Sequence, residues 1–260
     1  VRPPSGGPAR GTIACLDDGA RDLVVALGWG DRIAPVEVCT SLERAPAADP
    51  AHVDRQVSDA VADGLPIAEA AIPSDATLVV TTRGSLLRFG PTEAEVWELD
   101  VSSLAALVAI LDGRALGDEL RRRLEAIEPA PRRRVVALSW GDPPYGVHGA
   151  ACDAIELAGG LMAFRGCGPI VGRALAEADP EVMLYLPCDY TLDEAEEEAQ
   201  RIVRRAEAQR IAAVRRGDLW ALDPALLLSS PTRAVELAEV ARLVLCGISD
   251  PRARRVRGAP

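Results

Sequence analysis

The chain has 260 residues, 48% hydrophobic and 26% charged, so it is long enough to bury a full core and has an ordinary globular composition. Its net charge of −10 excludes a broad surface that follows nucleic-acid phosphates, so nucleic acid is not an expected partner. Its apolar runs, such as residues 104–111, are shorter than the roughly 20 residues of a transmembrane helix, and we expect no transmembrane segment.

Residues 1–10 are rich in Pro and Gly and are predicted to be a loose leader. They contain no apolar stretch of the kind that marks a secretory signal, so the sequence as written predicts a cytoplasmic protein. The mature form of an exported protein would look the same and would lie outside the cytoplasm. Both localisations stay open.

Strand and helix patterns alternate through the first hundred residues. Near-continuous apolar runs, such as residues 76–82, are typical of strands buried on both faces of a parallel sheet. The predicted strands cover residues 11–17, 32–39, 76–82 and 94–100, and the predicted helices cover residues 21–30 and 53–64. This alternation predicts right-handed crossovers and a parallel sheet.

Residues 101–129 give the longest helical pattern of the sequence, with Ser102 or Ser103 as the N-cap candidate. Gly113 and Gly117 interrupt the pattern, so it predicts either one bent helix or two shorter helices. In both cases we expect the segment to join two α/β halves.

The alternation of strands and helices resumes after residue 130. The predicted strands cover residues 133–140, 161–164, 181–188 and 218–223, and the predicted helices cover residues 150–158, 172–178, 192–208 and 232–246. The last stretch, residues 252–260, is rich in arginine and is predicted to be loose. The predicted fold class is α/β, with two Rossmann-like lobes that contain parallel sheets. Its parts are an N-terminal lobe over residues 11–100, a linking helix over residues 101–129 and a C-terminal lobe over residues 130–248.

Four segments carry a resemblance to a known family: DLVVALGWGDRIAPV at residues 22–36, ATLVVTTRG at 76–84, EADPEVMLYLPCDY at 177–190 and VRRGDLWALDP at 214–224. In this order they resemble the class III, helix-linked periplasmic binding proteins, which deliver vitamin B12, haem and iron–siderophores to ABC importers. The segment LPCDYTLDEAEEEA, residues 186–199, is similar to cobalamin-binding members. The resemblance implies a monomer of two lobes hinged by a rather rigid helix. It also implies a corrinoid or another metal chelate held in the cleft between the lobes, and an ABC permease as partner.

Distinctive side chains follow the ends of the predicted strands. The strand at residues 133–140 runs into SWGDPPYGVHG, residues 139–149, which is predicted to be a loop before the next helix. Ligands of parallel α/β sheets collect outside the carboxyl ends of the strands. The predicted ligand-binding residues are therefore Cys39, Arg83, Phe89, Trp140, Asp142, Tyr145, His148, Cys188, Asp189 and Tyr190.

Several of these residues have an expected role. Trp140 and Tyr145 offer flat, amphipathic surface for a planar or macrocyclic ligand. His148 is suited to coordinate a metal centre or to bond a carboxamide. In the alternative interpretation Trp140 and Tyr145 pack under the loop and His148 is merely exposed. The other predicted contacts are polar, with Arg83 toward an anionic group and Asp142 and Asp189 toward ligand amides.

The acids that dock such proteins onto a permease are replaced here by arginine. Transport-coupled relatives carry an acid on each lobe that meets permease arginines, and alignment places these positions at Arg88 and Arg173. Like charges would repel, unless Glu93 or Glu177 substitutes. Two functions stay open: the solute-binding protein of an ABC importer, and a cytosolic ligand-binding or sensor protein that has kept the fold and lost permease docking.

An enzyme is the third interpretation, in which Cys39, His148 and Cys188 form a thiolate nucleophile with a base or a soft metal site. The sequence has no HExxH, no GxSxG and no Gly-rich phosphate loop, so we expect neither catalysis, nor a resident cofactor, nor a metal site of the protein's own. The six cysteines include no CxxC pair and are predicted to be free thiols, with Cys15 and Cys246 in the core.

The acidic helix predicted at residues 192–208 has Glu and Arg at helical spacing. Glu197 is expected to pair with Arg201, and Glu198 with Arg204 or Arg205. Such pairs are typical of a solvated helix face, which is the favoured interpretation, although a partner-docking surface is the alternative.

Overall fold

The computed structural model describes residues 11–40, 68–82, 87–100, 102–166, 169–170, 173–187, 190–205, 208–227 and 230–256. The chain divides between Val101 and Ser102 into two compact units, each described by itself below. No helix within the described ranges is long and apolar enough to cross a membrane. The predicted helix at residues 53–64 and the predicted ligand contacts Arg83, Cys188 and Asp189 lie outside the described residues.

The first unit is built from short strands around one described helix. Its elements are β1 (Thr12–Cys15), α1 (Asp18–Ala26), β2 (Ile33–Ala34), β3 (Glu37–Thr40), β4 (Ala68–Ala71), β5 (Ala76–Thr82), β6 (Leu87–Phe89) and β7 (Glu95–Leu99). The main sheet has the order β2-β1-β5-β7, and every pairing in it is parallel. Ile13 and Val79 of its central strands are fully buried, as expected for a parallel sheet covered on both faces.

Helix α1 begins earlier than the pattern at residues 21–30 predicts. The carboxylate of Asp17 accepts a hydrogen bond from the backbone N–H of Ala20 at 2.7 Å, which caps the helix, so the helix starts at Asp18. The helix ends before Gly28, whose φ of +80° lies in the left-handed region. The cap residue, rather than the apolar spacing, sets the start of the helix.

The single strand predicted at residues 32–39 is wrong. β2 pairs with β1 in the main sheet, whereas β3 pairs antiparallel with β4 in a second sheet of order β3-β4-β6. Pro35 lies between them and has no N–H to donate to a ladder, so the strand is interrupted there. The sequence pattern predicts neither β4 nor β6, because the alanine-rich β4 and the three-residue β6 lack a strand-like apolar pattern.

The second unit contains a larger sheet with helices packed against it. Its elements are α2 (Leu104–Ala109), α3 (Ala115–Glu125), β8 (Arg133–Gly141), β9 (Pro144–Gly146), α4 (Ala150–Leu157), β10 (Gly160–Met162), α5 (Ala174–Glu177), β11 (Val182–Tyr185), α6 (Leu192–Val203), α7 (Ala212–Arg216), β12 (Leu219–Leu222), α8 (Pro231–Leu245) and β13 (Ala253–Val256). The sheet order is β10-β8-β11-β12-β13, and β9 folds back on β8. The first four strands are parallel, which confirms the predicted α/β class.

The helical segment at residues 101–129 is two helices, one of the two alternatives that its glycines predict. Ser103 caps α2 by accepting a hydrogen bond from Ala106 N–H, and the carboxylate of Asp153 accepts one from Leu104 N–H at 3.0 Å. Gly113, with φ of +75°, allows the chain to turn between α2 and α3. Both helices lie on the second unit's side of the division.

Residues 253–256 form an edge strand, so the prediction of a loose tail over residues 252–260 is wrong for the part that the structure describes. β13 runs antiparallel to β12, with Val256 opposite Leu219 and 1% exposed. The Arg255 guanidinium lies 5.7 Å from the centre of the Trp220 ring and 2.8 Å from Asp218. The sequence does not indicate this strand because two of its four residues are arginines. The Arg255 guanidinium makes its contacts at the edge of the sheet, whereas Val256 is buried in the core.

The described cysteines Cys15, Cys152 and Cys246 are free thiols, as predicted. Cys152 is buried and Cys15 is partly exposed, so Cys15 is not the fully buried core residue that the sequence predicts. Cys246 is exposed, so its predicted place in the core is wrong. It follows the last residue of α8, where the helix has already ended.

Replacing Val256 by alanine should lower the free energy of unfolding by about 2 kcal/mol, because a buried side chain is truncated in a packed core. Urea denaturation followed by circular dichroism measures this change. Arg254→Ala is the matched control on the same strand, since Arg254 is exposed and should change stability by about 0.5 kcal/mol or less. Equal effects of the two variants would show that β13 is not docked on β12.

Candidate functional site

The loop predicted at residues 139–149 is largely a β-hairpin at the carboxyl edge of the second unit's sheet. β8 continues to Gly141, and β9 returns antiparallel beside it, with Tyr145 directly opposite Trp140. Directly opposed residues of an antiparallel pair project from the same face. The hairpin therefore presents Trp140 and Tyr145 side by side.

A third aromatic side chain contacts this pair from the segment that follows the neighbouring strand β11. Tyr190 lies just beyond the end of β11, and its ring centroid is 6.1 Å from that of Trp140 at an edge-on angle of 66°. This geometry is favourable for aromatic rings, which prefer edge-to-face contact. Trp140, Tyr145 and Tyr190 are all half-buried, so part of each ring stays open to solvent. These three residues are called the aromatic platform.

Local structure fixes two members of the aromatic platform. The indole Nε1–H of Trp140 donates to the carbonyl of Asp142 at 3.3 Å, which ties the ring to the hairpin turn. Tyr190 precedes Thr191, which caps α6 in a reciprocal capping box with Glu194. Because these anchors are local, the platform is formed within the second unit alone.

A charged pair borders the aromatic platform. Asp142 is exposed, and its carboxylate lies 3.2 Å from the guanidinium of Arg205. The predicted pairing of Glu198 with Arg204 or Arg205 is wrong, because Glu198 pairs with Arg201 at 2.7 Å. Arg205 lies beyond the end of α6, where helical spacing no longer applies, and turns toward the hairpin. The expected Glu197–Arg201 pair is present at 4.0 Å.

His148 follows β9 and is exposed. Partial desolvation of the imidazole lowers the pKa of His148 below its ordinary value, although contact of the ring with water limits this effect. The ring is therefore mostly neutral at pH 7, a form that accepts a hydrogen bond. Within the described ranges, no group of three or more His, Cys, Asp or Glu side chains is arranged to hold a metal ion.

The first unit has a cavity of about 500 Å³ at the carboxyl ends of β1 and β2. Its lining residues are Cys15, Leu16, Asp17, Arg21, Val25, Gly30, Ile33, Ala34, Pro35 and Val36. The lining combines the carboxylate of Asp17, the guanidinium of Arg21 and the thiol of Cys15 with apolar side chains. The sequence prediction overlooks these residues because Cys15 is assigned to the core. The rule that ligands bind beyond strand ends, applied to β1, would have indicated them.

The thiol of Cys15 is held in its neutral form. Burial, and to a smaller extent the nearby Asp17 carboxylate, raise the pKa of Cys15 to about 12, although the Arg21 guanidinium opposes the shift. A protonated thiol is a poor nucleophile and a poor metal ligand. Cys15 therefore contributes a small, weakly polar side chain to the lining of this cavity.

The other predicted site residues are spread over the two units. The backbone of Cys39 lies in β3 opposite Glu69. Phe89 of β6 is half-buried and packs against a small apolar cluster that contains Leu16 and Val79. Arg88 precedes it in β6, and Arg173 is exposed at the start of α5. Among the predicted residues that the structure describes, it brings together Trp140, Asp142, Tyr145 and Tyr190, with His148 following on the same hairpin segment.

Comparison with known proteins places the fold. No family model matches the sequence and no curated relative matches it. The periplasmic vitamin B12-binding protein BtuF of Vibrio cholerae shares 14% identity at a TM-score of 0.57, over 90% of this chain and 96% of that one. The periplasmic haem-binding protein HutB of Vibrio cholerae shares 13% identity at a TM-score of 0.61, over 91% and 99%. A periplasmic haem-binding protein of Pseudomonas aeruginosa shares 18% identity at a TM-score of 0.60, over 96% and 98%.

These similarities confirm the predicted fold, which is that of the periplasmic vitamin B12- and haem-binding proteins. The match extends over almost the whole of each chain, so it covers both units rather than one. Identities of 13–18% establish the fold alone and leave the ligand to be argued from the chain's own side chains.

At about pH 8, iodoacetamide should modify the exposed Cys246 well before Cys15. The raised pKa of about 12 keeps the Cys15 thiol protonated, so its alkylation rate should rise with pH through the whole range from 7 to 10. Mass spectrometry of proteolytic fragments measures both sites in one sample, with Cys246 as the internal control. Alkylation of Cys15 as fast as Cys246 at pH 7 would contradict this account.

Proposed function

We propose that this chain is a solute-binding protein that captures a corrinoid or another large metal chelate and presents it to an ABC importer. The observation that carries this proposal is the aromatic platform at the carboxyl edge of the second unit's sheet. In a chain with only 3% aromatic residues, three of them converge at the edge where α/β sheets bind ligands.

The aromatic platform suits a broad, flat ligand. Trp140 and Tyr145 present adjacent rings, and Tyr190 supports Trp140 from the next strand. Rigid aromatic side chains provide large contact area and lose little conformational entropy on binding. A macrocycle such as a corrin or a porphyrin offers the extended surface that such rings cover.

Polar groups beside the platform suit the edge of such a ligand. The exposed Asp142 carboxylate can accept hydrogen bonds from amide groups, which corrinoids carry around their rim. The neutral imidazole of His148 can accept a hydrogen bond or coordinate a metal centre of the ligand. The contacts that the sequence predicts at Cys39, Arg83 and Phe89 remain part of the proposal.

The names of the structural neighbours support this ligand class. They include proteins described as binding vitamin B12 and haem, both of which are macrocyclic metal chelates. All three are described as binding proteins, which favours binding over catalysis for this chain as well. The choice between corrinoid, haem and siderophore stays part of the proposal.

A sensor that binds the same ligand without a permease is the second candidate. Arg173 is exposed at the start of α5, and Arg88 lies in β6, where the family resemblance implies docking acids. Guanidiniums there would repel permease arginines. Immunoblotting of fractionated source cells distinguishes the candidates, since a chain confined to the cytosol excludes delivery to an importer.

Purified protein should bind one of cyanocobalamin, cobinamide, haemin or a ferric siderophore with a Kd of about 1 μM or tighter. Isothermal titration calorimetry measures the Kd, and quenching of tryptophan fluorescence checks it. Trp140→Ala should weaken binding about tenfold or more with little loss of stability, because Trp140 is half-buried and contributes contact area.

Leu161→Ala is the matched control, because Leu161 is an exposed apolar residue on β10, outside the platform. It should leave the Kd unchanged. The proposal fails if none of the four compounds binds, or if Leu161→Ala weakens binding as much as Trp140→Ala does.

A further inference from the structure

The β8–β9 hairpin rests directly on the last turns of α6. A Cβ atom at Gly141 would lie 2.9 Å from Cδ1 of Ile202 and 3.3 Å from the hydroxyl of Tyr185. A side chain at position 141 would therefore require the end of the Ile202 side chain to shift, which shows how closely the hairpin backbone approaches α6. Ile202 is itself buried, so the surface below the hairpin is part of the core.

Arg205 bonds both residues that enter the hairpin turn. Its Nη1 donates to the carbonyl of Gly141 at 3.3 Å, and its Nη2 lies 3.2 Å from Oδ2 of Asp142. The guanidinium is only partly exposed, with 37% of the side chain accessible. Because its fork holds two donors in a fixed plane, one side chain fixes both the position and the direction of the turn.

The same turn holds the indole of Trp140. While the Asp142 carboxylate faces Arg205, the carbonyl of Asp142 accepts the hydrogen bond from Nε1 of Trp140 at 3.3 Å. Arg205 is thus connected to the aromatic platform through one residue. It makes no contact with the platform's rings among the contacts described.

We infer that Arg205 is a positioning residue, which holds the β8–β9 hairpin on α6 and thereby sets the orientation of Trp140 and Tyr145. Its importance for ligand affinity rests on the proposed function, but its effect on the hairpin does not. The Asp142 carboxylate of this ion pair is 70% exposed, so the pair adds little to global stability and acts locally. It is also sensitive to salt, because exposed pairs are screened.

Hydrogen–deuterium exchange of the ligand-free protein tests this inference. In Arg205→Gln, amides of the peptide covering residues 138–147 should exchange about five- to tenfold faster, because the turn loses both bonds. Arg205→Lys should restore protection only in part, since an ammonium keeps the charge but not the planar fork. Asp142→Asn should have a smaller effect than Arg205→Gln, because the bond to the Gly141 carbonyl remains.

Arg201→Gln is the matched control, because Arg201 lies on α6 and pairs with Glu198, and the contacts described for it include no bond to the hairpin. It should leave exchange of residues 138–147 unchanged. The inference is overturned if Arg205→Gln does not accelerate exchange in this peptide, or if it accelerates exchange equally throughout the second unit.

Because no ligand enters this measurement, its outcome is separate from that of the proposed function. If Arg205→Gln loosens the hairpin but the protein binds none of the four compounds, Arg205 is still a positioning residue and the proposed function is wrong. If the protein binds one of the compounds but Arg205→Gln leaves exchange unchanged, the proposed function stands and Arg205 is not a positioning residue. If both hold, Arg205→Gln should also weaken binding.

Discussion

Parallel pairing of β8, β10, β11 and β12 is the constraint on which the second unit depends. Strands that run the same way can be joined only by crossovers, so the segments that leave their carboxyl ends all emerge at one edge. The hairpin after β8 and Tyr190 after β11 meet there, although 45 residues separate Tyr145 from Tyr190 in the sequence. The aromatic platform is therefore a consequence of topology, with the residue types supplied at the strand ends.

Buried apolar runs were the reliable signal in the sequence, because burial on both faces of a sheet leaves an unbroken hydrophobic stretch. The strand at Ala76–Thr82 matches its predicted bounds, β8 is longer than predicted by one residue, and β12 is shorter by one residue at each end. Elements that depend on a distant partner gave no such signal. β13 reads as a basic tail until Leu219 and Val256 are seen to pair, and the hairpin at residues 139–149 reads as a loop because its prolines and glycines suggest one.

The candidate site, like the fold, was predictable only in part from the sequence. Trp140, Asp142, Tyr145 and Tyr190 follow from the rule that ligands bind beyond strand ends. Arg205 does not, because it follows a helix rather than a strand and reaches the turn across 64 residues of sequence. The first unit's cavity at Asp17 and Arg21 does not follow from the sequence prediction either, because that prediction assigns the neighbouring Cys15 to the core.

Two arginines of the second unit join distant elements in the same way. Arg205 bonds the carbonyl of Gly141 and the carboxylate of Asp142, and Arg255 bonds the carbonyl of Gly217 and the carboxylate of Asp218. Each guanidinium thus bonds one backbone carbonyl and one carboxylate. The ammonium of a lysine is a point charge and could not bond both groups with the same geometry. Since all 29 basic residues are arginine, the chain has this two-point contact available wherever a cation meets a loop.

The protonation states at the candidate sites favour binding over chemistry. Burial raises the pKa of Cys15 to about 12 and that of Cys152 to about 11, so neither thiol is ionised near pH 7. The lowered pKa of His148 keeps its imidazole mostly neutral. A general acid or base works best when its pKa is near the working pH, and a nucleophilic cysteine needs its thiolate. In the proposed function, the neutral imidazole of His148 and the half-buried rings of the aromatic platform serve a large ligand that is held by contact area and released unchanged.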